Sequence, residues 1–349
     1  MKMVVLLVTL LFTLHADTLR DEIARMLIVG FDGKRLDANS SLVRTIRRYP
    51  LGGVILFAKN LKTQDQVSAL THRLQALRKE PLLIGIDEEG GRVDRLAKIA
   101  NGFKTPSAQR IASMKPSEAK RHYLKTAKAL HRLGFNLDFA PVADLARNPQ
   151  NRVIVKSGRS YGSDPRRVVA YASLFIDALH EEGVLAVLKH FPGHGSSAGD
   201  SHEGFTDVSG SWSPDELRPF MALRDKTDMV MSAHIFNRHL DAHYPATLSR
   251  SVIGTLLRQK MGYEGVVVSD DMQMGAIRKN YTLHEAVVLA INAGVDMLLF
   301  GNQIARPYRA ETIIDLIASL VQKGEISRER IDEANRRIQA LKREPFPDR

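Results

Sequence analysis

The chain has 349 residues, 44% hydrophobic and 26% charged, an ordinary globular balance with apolar material for a large core. Its formal net charge of +11 favours anionic surroundings. No Lys/Arg block or basic-aromatic motif accompanies that charge, which argues against nucleic acid as a partner, and the absence of cysteine excludes disulfides, thiolate catalysis and Cys-based metal sites.

The first element is a leader-like segment. Met1-Lys2 precedes the apolar run Val4 to Leu14, then His15-Ala16-Asp17. The run is shorter than the roughly 20 residues a bilayer span needs. It has the form of a signal-peptide h-region, with Ala16 as the small residue before cleavage, so residues 1–16 are expected to be a signal peptide and the mature chain to begin near Asp17. Stable membrane insertion is not expected. A periplasmic or secreted address follows, with the cytoplasm as the alternative.

From there short apolar, β-branched runs alternate with amphipathic helical stretches, the pattern of βα units. The runs are Met26–Phe31, Gly53–Phe57, Leu82–Ile86, Leu137–Val142, Leu185–Leu188, Met229–Ser232, Gly265–Ser269 and Val295–Phe300, eight in all. Between them lie helical patterns at Thr63–Arg78, Ser117–Leu133, Asp164–Glu182 and Thr282–Ala293. Two helix starts carry capping-box spacing: Ser213-Pro214-Asp215-Glu216, with proline at the first helical position, and Thr282 with Glu285. No Ser/Pro-rich linker or shift in composition divides residues 17–349. An open doubly wound sheet would also alternate strands and helices. The count of eight and the polar residues at the run ends favour a single-domain (β/α)₈ barrel of the TIM type, a fold of about 250 residues or more. Those ends are Asp32, Asp87, Asp144, Lys189-His190, His234 and Asp270-Asp271, and parallel barrel strands bring them to the one face where barrel active sites lie.

Three clusters carry candidate chemistry. Lys189-His190-Phe191-Pro192-Gly193-His194-Gly195 leads through a Ser/Gly-rich loop to Asp200-Ser201-His202. An aspartate two residues from a histidine can fix its tautomer and raise its basicity, and imidazole titrates near neutrality, which suits proton transfer in both directions. Val266-Val267-Val268-Ser269-Asp270-Asp271-Met272 delivers a carboxylate to the barrel mouth on a stiff buried strand, as a nucleophile or electrostatic stabiliser. Side chains alternate along a strand, so one of Asp270 and Asp271 points into the pocket and the other caps the following helix. Periodicity does not choose between them. Asp87 to Arg95, a Gly-hinged loop of carboxylates and arginines, suits bidentate hydrogen bonds to vicinal hydroxyls or a structural ion network.

Taken together, Gly30-Phe31-Asp32-Gly33, Gly52 to Phe57, Asp87 to Arg95, Lys189 to Gly195, Asp200-Ser201-His202 and Ser269-Asp270-Asp271-Met272 resemble glycoside hydrolase family 3, in particular the bacterial β-N-acetylglucosaminidases of the NagZ type. The matching pieces keep the family's order from about residue 20 to about residue 305. The resemblance implies that Asp270 is the nucleophile, with Asp271 in support. His202 is then the general acid/base, oriented by Asp200. Asp87, Arg95, Arg159, Lys189 and His190 take the role of gripping the hydroxyls of a terminal N-acetylglucosamine. It implies a retaining mechanism through a covalent glycosyl-enzyme, with muropeptides as substrate and neither metal nor cofactor.

Rival readings remain in view. His190, His194, His202 and His234 with Asp87, Asp200 and Asp270 supply ligand types for a di-metal barrel hydrolase, but no His-x-His or His-Glu-x-x-His spacing accompanies them. A related β-glycosidase of other sugar specificity, or a phosphorylase passing the sugar to phosphate, would share the same residues. A binding module without catalysis would lack the nucleophile or the dyad. The oligomeric state is not legible.

Overall fold

A computed structural model describes residues 18–343. The expected signal peptide at residues 1–16 lies outside the described residues.

Eight strands run in one parallel sheet: β1 (Leu27–Gly30), β2 (Gly53–Leu56), β3 (Leu83–Ile86), β4 (Leu137–Asp138), β5 (Leu185–Phe191), β6 (Met229–Ser232), β7 (Val266–Ser269) and β8 (Leu298–Phe300). From β1 to β7 each strand pairs with the next, and β8 pairs with β1, Leu27 opposite Leu298. The seam between β7 and β8 closes through the bridge of Val268 with Met297 and through Ser269, whose N–H donates to the Met297 carbonyl at 2.9 Å. The expected barrel is the observed one. Every residue of the eight strands is buried. Parallel strands covered by helices on their outer side need such continuous apolar runs, and each fully buried Val or Leu contributes about 1.5–3 kcal/mol.

Helix boundaries follow local chemistry. Thr63 caps Gln64–Gln75 by accepting from the Gln66 N–H at 3.2 Å, and Asp164 caps Pro165–Glu181 by accepting from Arg166 at 3.0 Å. Thr282 and Glu285 form the expected capping box at the start of Leu283–Ala293. The other expected box is not one. Ser213 accepts from Asp215 at the start of a short 3₁₀ turn, Pro214–Leu217, while Glu216 turns inward and takes the Gly195 N–H at 3.1 Å. A buried unpaired N–H costs more than an exposed cap gains, so the tertiary contact wins. The run Leu137–Val142 is strand for two residues only, then continues irregularly to the bridge of Val142 with Lys189.

At the lower end of the barrel, Asp296 sits fully buried before β8. It accepts from Arg258 at 2.5 Å, Arg330 at 2.6 Å and Arg337 at 3.2 Å, as well as from the Val267 N–H at 2.9 Å. This knot ties the helix Arg328–Arg343 to the barrel floor and leaves the opposite face to the site. Among the described residues no helix is long and apolar enough to cross a membrane.

Candidate active site

The upper ends of β2, β3, β5, β7 and β8 surround a cavity of about 170 Å³. Its lining includes Asp87, Glu89, Arg95, Arg159, Lys189, His190, His202, Asp270 and Asp271. Larger hollows of about 870 and 660 Å³ lie between outer helices. Neither lies at the upper ends of the strands where the polar run ends converge, so position rather than size marks the site.

Along one wall the charges interlock. Lys189 donates to Asp87 at 2.8 Å and reaches Glu89 at 2.7 Å. Arg159 grips Glu89 in a fork, Nε to Oε2 at 2.6 Å and Nη2 to Oε1 at 2.8 Å. Burial opposes ionisation of Glu89, but Arg159 and Lys189 outweigh it and hold the carboxyl well below the usual range. Burial likewise opposes the charge on Lys189, and Asp87 with Glu89 reverses that and raises its pKa. Glu89, Lys189 and Arg159 therefore stay charged together. Arg95 also lines the cavity, and its Nε is buried with no partner among the described residues. Such a donor needs a ligand or water to complete it.

The loop bearing Arg95 is fixed from beneath. Glu88, fully buried, accepts from the Arg95 N–H at 2.6 Å, the Leu96 N–H at 2.9 Å and the Thr105 hydroxyl at 2.7 Å. Burial and then the Asp94 charge push Glu88 up to about 8, so it works mainly as a neutral acid. Consecutive residues thus divide the work: Asp87 and Glu89 face the cavity and Glu88 faces inward, the alternation of an extended chain.

His190 follows Lys189 at a bulge in the pairing of β5 with β6. A bulge re-aims neighbouring side chains, and here both reach the cavity. Its Nδ1 lies 2.6 Å from Asp144 Oδ2 and its Nε2 3.4 Å from Arg159 Nη2. Asp144 is buried, yet His190 and His194 keep its pKa below the ordinary value.

Asp270, at the end of β7, opens onto the cavity and accepts the Asp271 N–H at 2.8 Å. Burial would raise its pKa, but His234, His190 and His202 together hold it at about 2. It is ionised at any physiological pH. Asp271 turns to the seam instead, where its Oδ1 takes the Gln273 and Gly301 N–H groups, each at 3.0 Å. Burial pushes it up to about 6. A Cβ on Gly301 would stand 2.4 Å from Asp271 Oδ2, so this carboxylate fits only against glycine. The side chain expected to cap the next helix does not cap it: Gly275–Arg278 starts at Met274 with no side-chain bond, and Asp271 instead joins β7 to the loop after β8.

The Asp200–His202 dyad forms as expected, with Nδ1 2.8 Å from Asp200 Oδ1. The same oxygen takes the His202 N–H at 2.9 Å. Asp200 itself is not in the cavity lining; His202 is. The dyad loop is held by its backbone. The Gly275 N–H donates to the His202 carbonyl at 3.0 Å, and a Cβ on Gly275 would come within 2.6 Å of that oxygen.

His194 and His234 are committed elsewhere. His194 is buried and spans the dyad loop, its Nδ1 2.8 Å from Ser197 Oγ and its Nε2 3.1 Å from Ser201 Oγ. Burial depresses it to about 4, so it is neutral. His234 donates from Nε2 to the Asp271 carbonyl at 3.0 Å and accepts at Nδ1 from the Thr247 hydroxyl, 2.9 Å away. Asp32 pairs with Lys59 at 2.6 Å and does not line the cavity. Among the described residues no group of three His, Asp or Glu side chains is arranged to hold a metal ion.

Residues 18–341 match the Glycosyl hydrolase family 3 N-terminal domain. The chain belongs to glycosyl hydrolase family 3. Within the family it is 38% identical over 292 residues to a β-hexosaminidase of Tolumonas auensis, covering 80% of this chain and 83% of that one. It is 34% identical over 337 residues to β-hexosaminidase LpqI of Mycobacterium tuberculosis, covering 93% and 82%. A solved family 3 β-N-acetylglucosaminidase from Paenibacillus sp. superposes with a TM-score of 0.85 at 35% identity, and the match spans 93% of this chain and 62% of that one. Glu89, which lines the cavity and pairs with Arg159 and Lys189, is not among the site residues expected from the sequence. Its place two residues after Asp87 on an extended segment was the available signal.

Proposed function

We propose that this chain is a retaining β-N-acetylhexosaminidase that releases terminal β-linked N-acetylglucosamine from peptidoglycan fragments. The reading rests on one observation: an ionised Asp270 and the dyad histidine His202 line the same small cavity as a wall of fixed hydrogen-bonding charges. The β-hexosaminidase names of the family relatives support it.

The steps follow from the groups present. Asp87, Arg95, Arg159, Lys189 and His190 hold the sugar hydroxyls, which fixes the anomeric carbon over Asp270. Asp270 attacks that carbon through an oxocarbenium-like transition state while His202 gives its proton to the leaving oxygen. Water then attacks the anomeric carbon from the face that the leaving group vacated, His202 takes its proton and the bond to Asp270 breaks, so configuration is retained. The common retaining pair is two carboxyl groups. Using a histidine avoids a second negative charge beside Asp270 and its neighbour Asp271.

Hydrolysis of a chromogenic N-acetyl-β-glucosaminide, compared with the matching β-glucoside, tests the sugar. Equal rates on the two would overturn it. Running the reaction with and without phosphate separates hydrolysis from phosphorolysis by the product formed. We also propose export directed by residues 1–16; N-terminal sequencing of the protein from its host should begin near Asp17, and intact Met1 would overturn that address.

A further inference from the structure

Asp144 stands at the end of the fourth apolar run, yet no step of the proposed reaction uses it. It is fully buried and does not line the cavity. Burying a carboxylate is costly unless other groups hold its charge, so a residue that only filled this space would be apolar.

Three segments of the site meet on it. Its Oδ2 lies 2.6 Å from His190 Nδ1, and its Oδ1 accepts the His190 N–H at 3.2 Å. The same Oδ1 accepts the His194 N–H at 2.7 Å, at the root of the loop that carries Asp200 and His202. The Asp144 carbonyl accepts the Ser160 hydroxyl at 2.6 Å, one residue after Arg159. Beyond the root the loop is braced again. The His194 ring spans Ser197 and Ser201, while Asn151 donates to the His194 carbonyl at 2.8 Å and to the Ser197 hydroxyl at 3.0 Å. The fit is close, since a Cβ on Gly195 would stand 1.6 Å from the Leu145 carbonyl oxygen. The carboxylate divides its oxygens: Oδ2 serves a ring on the cavity wall, and Oδ1 serves backbone.

We propose that Asp144 is a positioning residue for the hydrolysis: through Oδ2 it fixes the His190 ring with a proton on Nδ1, and through Oδ1 it anchors the loop that carries His202. An ionised carboxylate only accepts, so the ring nitrogen beside it carries the proton. Nε2 is then the ring atom beside Arg159 on the cavity wall. Such alignment matters because a misplacement of about 1 Å can cost about 100-fold in rate. The inference rests on the hydrolase reading above.

Asp144→Asn separates the two oxygens. The amide keeps an oxygen for the two backbone N–H groups, but its NH₂ faces His190 Nδ1 and drives the ring proton to Nε2. On a chromogenic N-acetyl-β-glucosaminide, KM should rise about 10- to 100-fold while kcat changes by less than about threefold. In a His190→Ala background the same substitution should add less than about twofold, because its effect passes through the ring. Asp144→Ala, which loses the loop anchor too, should in addition lower kcat about tenfold for poor leaving groups. A downfield imidazole N–H resonance of the wild type should vanish in both Asp144→Asn and His190→Ala. Equal losses from Asp144→Asn in both backgrounds would overturn the proposal, since a scaffold residue weakens the enzyme whether or not His190 is there. Unchanged kinetics would overturn it as well, and Asp144→Ala matching Asp144→Asn in kcat would remove the loop anchor. If Asp144→Asn does not fold, the wild type against His190→Ala still decides, and absence of the resonance from the wild type refutes the hold on the ring. A wild type that releases no N-acetylglucosamine defeats the hydrolase reading separately, and the same resonance then judges Asp144 alone.

Discussion

On the wall built by the loop after β3 and by β5, Lys189 and Glu89 are buried and, with Arg159, satisfy one another; on the loop after β5, Asp200 and His202 are 36% and 54% exposed. The wall is held by charge-assisted bonds of 2.6–2.8 Å between side chains. The dyad is held by backbone bonds to its loop and by the span of His194 from Ser197 to Ser201. The first arrangement suits a sugar whose hydroxyls stay in one place throughout the reaction. The second suits a proton donor that must let a leaving group out and water in. Recognition is built into the buried wall, and proton transfer is assigned to the part open to solvent.

Substitutions can break this contrast. Asp270, shared by both sides, should give the largest effect: Asp270→Ala loses about 10⁴-fold or more in kcat/KM, equivalent to at least about 5 kcal/mol, in a protein that still folds. Mass spectrometry after a slow fluorinated N-acetylglucosamine analogue should place the adduct on Asp270. An adduct on Asp271 would move the nucleophile by one residue, and no adduct would favour attack by the substrate's own acetamide.

On the stiff wall, Glu89→Ala leaves Lys189 and Arg159 buried against each other. It should cost about 3–5 kcal/mol of stability, read as a lower Tm, together with a large rise in KM. The exposed side should behave oppositely. His202→Ala should leave Tm unchanged and lower glycosylation about 10²–10³-fold for poor leaving groups, while activated aryl glycosides are largely spared. Asp200→Asn should give a milder form of the same pattern. A Tm drop in His202→Ala as large as that of Glu89→Ala would dissolve the distinction.

The smallest expected effect is on pH. Burial, with the Asp144 charge adding to it, pushes Glu216 up to about 7 from an ordinary value of 4.5. Between those pH values the folded protein keeps a proton that the unfolded chain has released, so stability falls as pH rises across that window. Glu216→Gln removes this titration. Relative to the variant, the wild type should lose on the order of 2–3 kcal/mol between pH 4.5 and 7, seen as diverging Tm curves.

The eight strands were legible because each is an apolar run with a polar residue at its end, and burial on both faces demands that pattern. The dyad was legible because its members sit two residues apart. What failed were readings in which a distant partner outbids a local rule. Glu216 has capping-box spacing but goes to Gly195, 21 residues away. Asp271 is expected to cap the following helix, but that helix has no side-chain cap and Asp271 takes the N–H of Gly301, 30 residues on. Glu88 and Glu89 are the same residue type in adjacent positions. Only the fold tells the neutral, inward acid from the ionised one facing the cavity.

The bond from Gly301 to Asp271 has a consequence for biosynthesis. A ribosome-bound chain that has released only the first seven strands has made the nucleophile, the dyad and the sugar-gripping wall, but it lacks the strand that pairs with both β7 and β1. Asp271 then has no glycine amide to hold it, and the barrel stays open beside Asp270. The seam beside the nucleophile candidate therefore forms only when the last strand arrives, after every other wall of the cavity has been made.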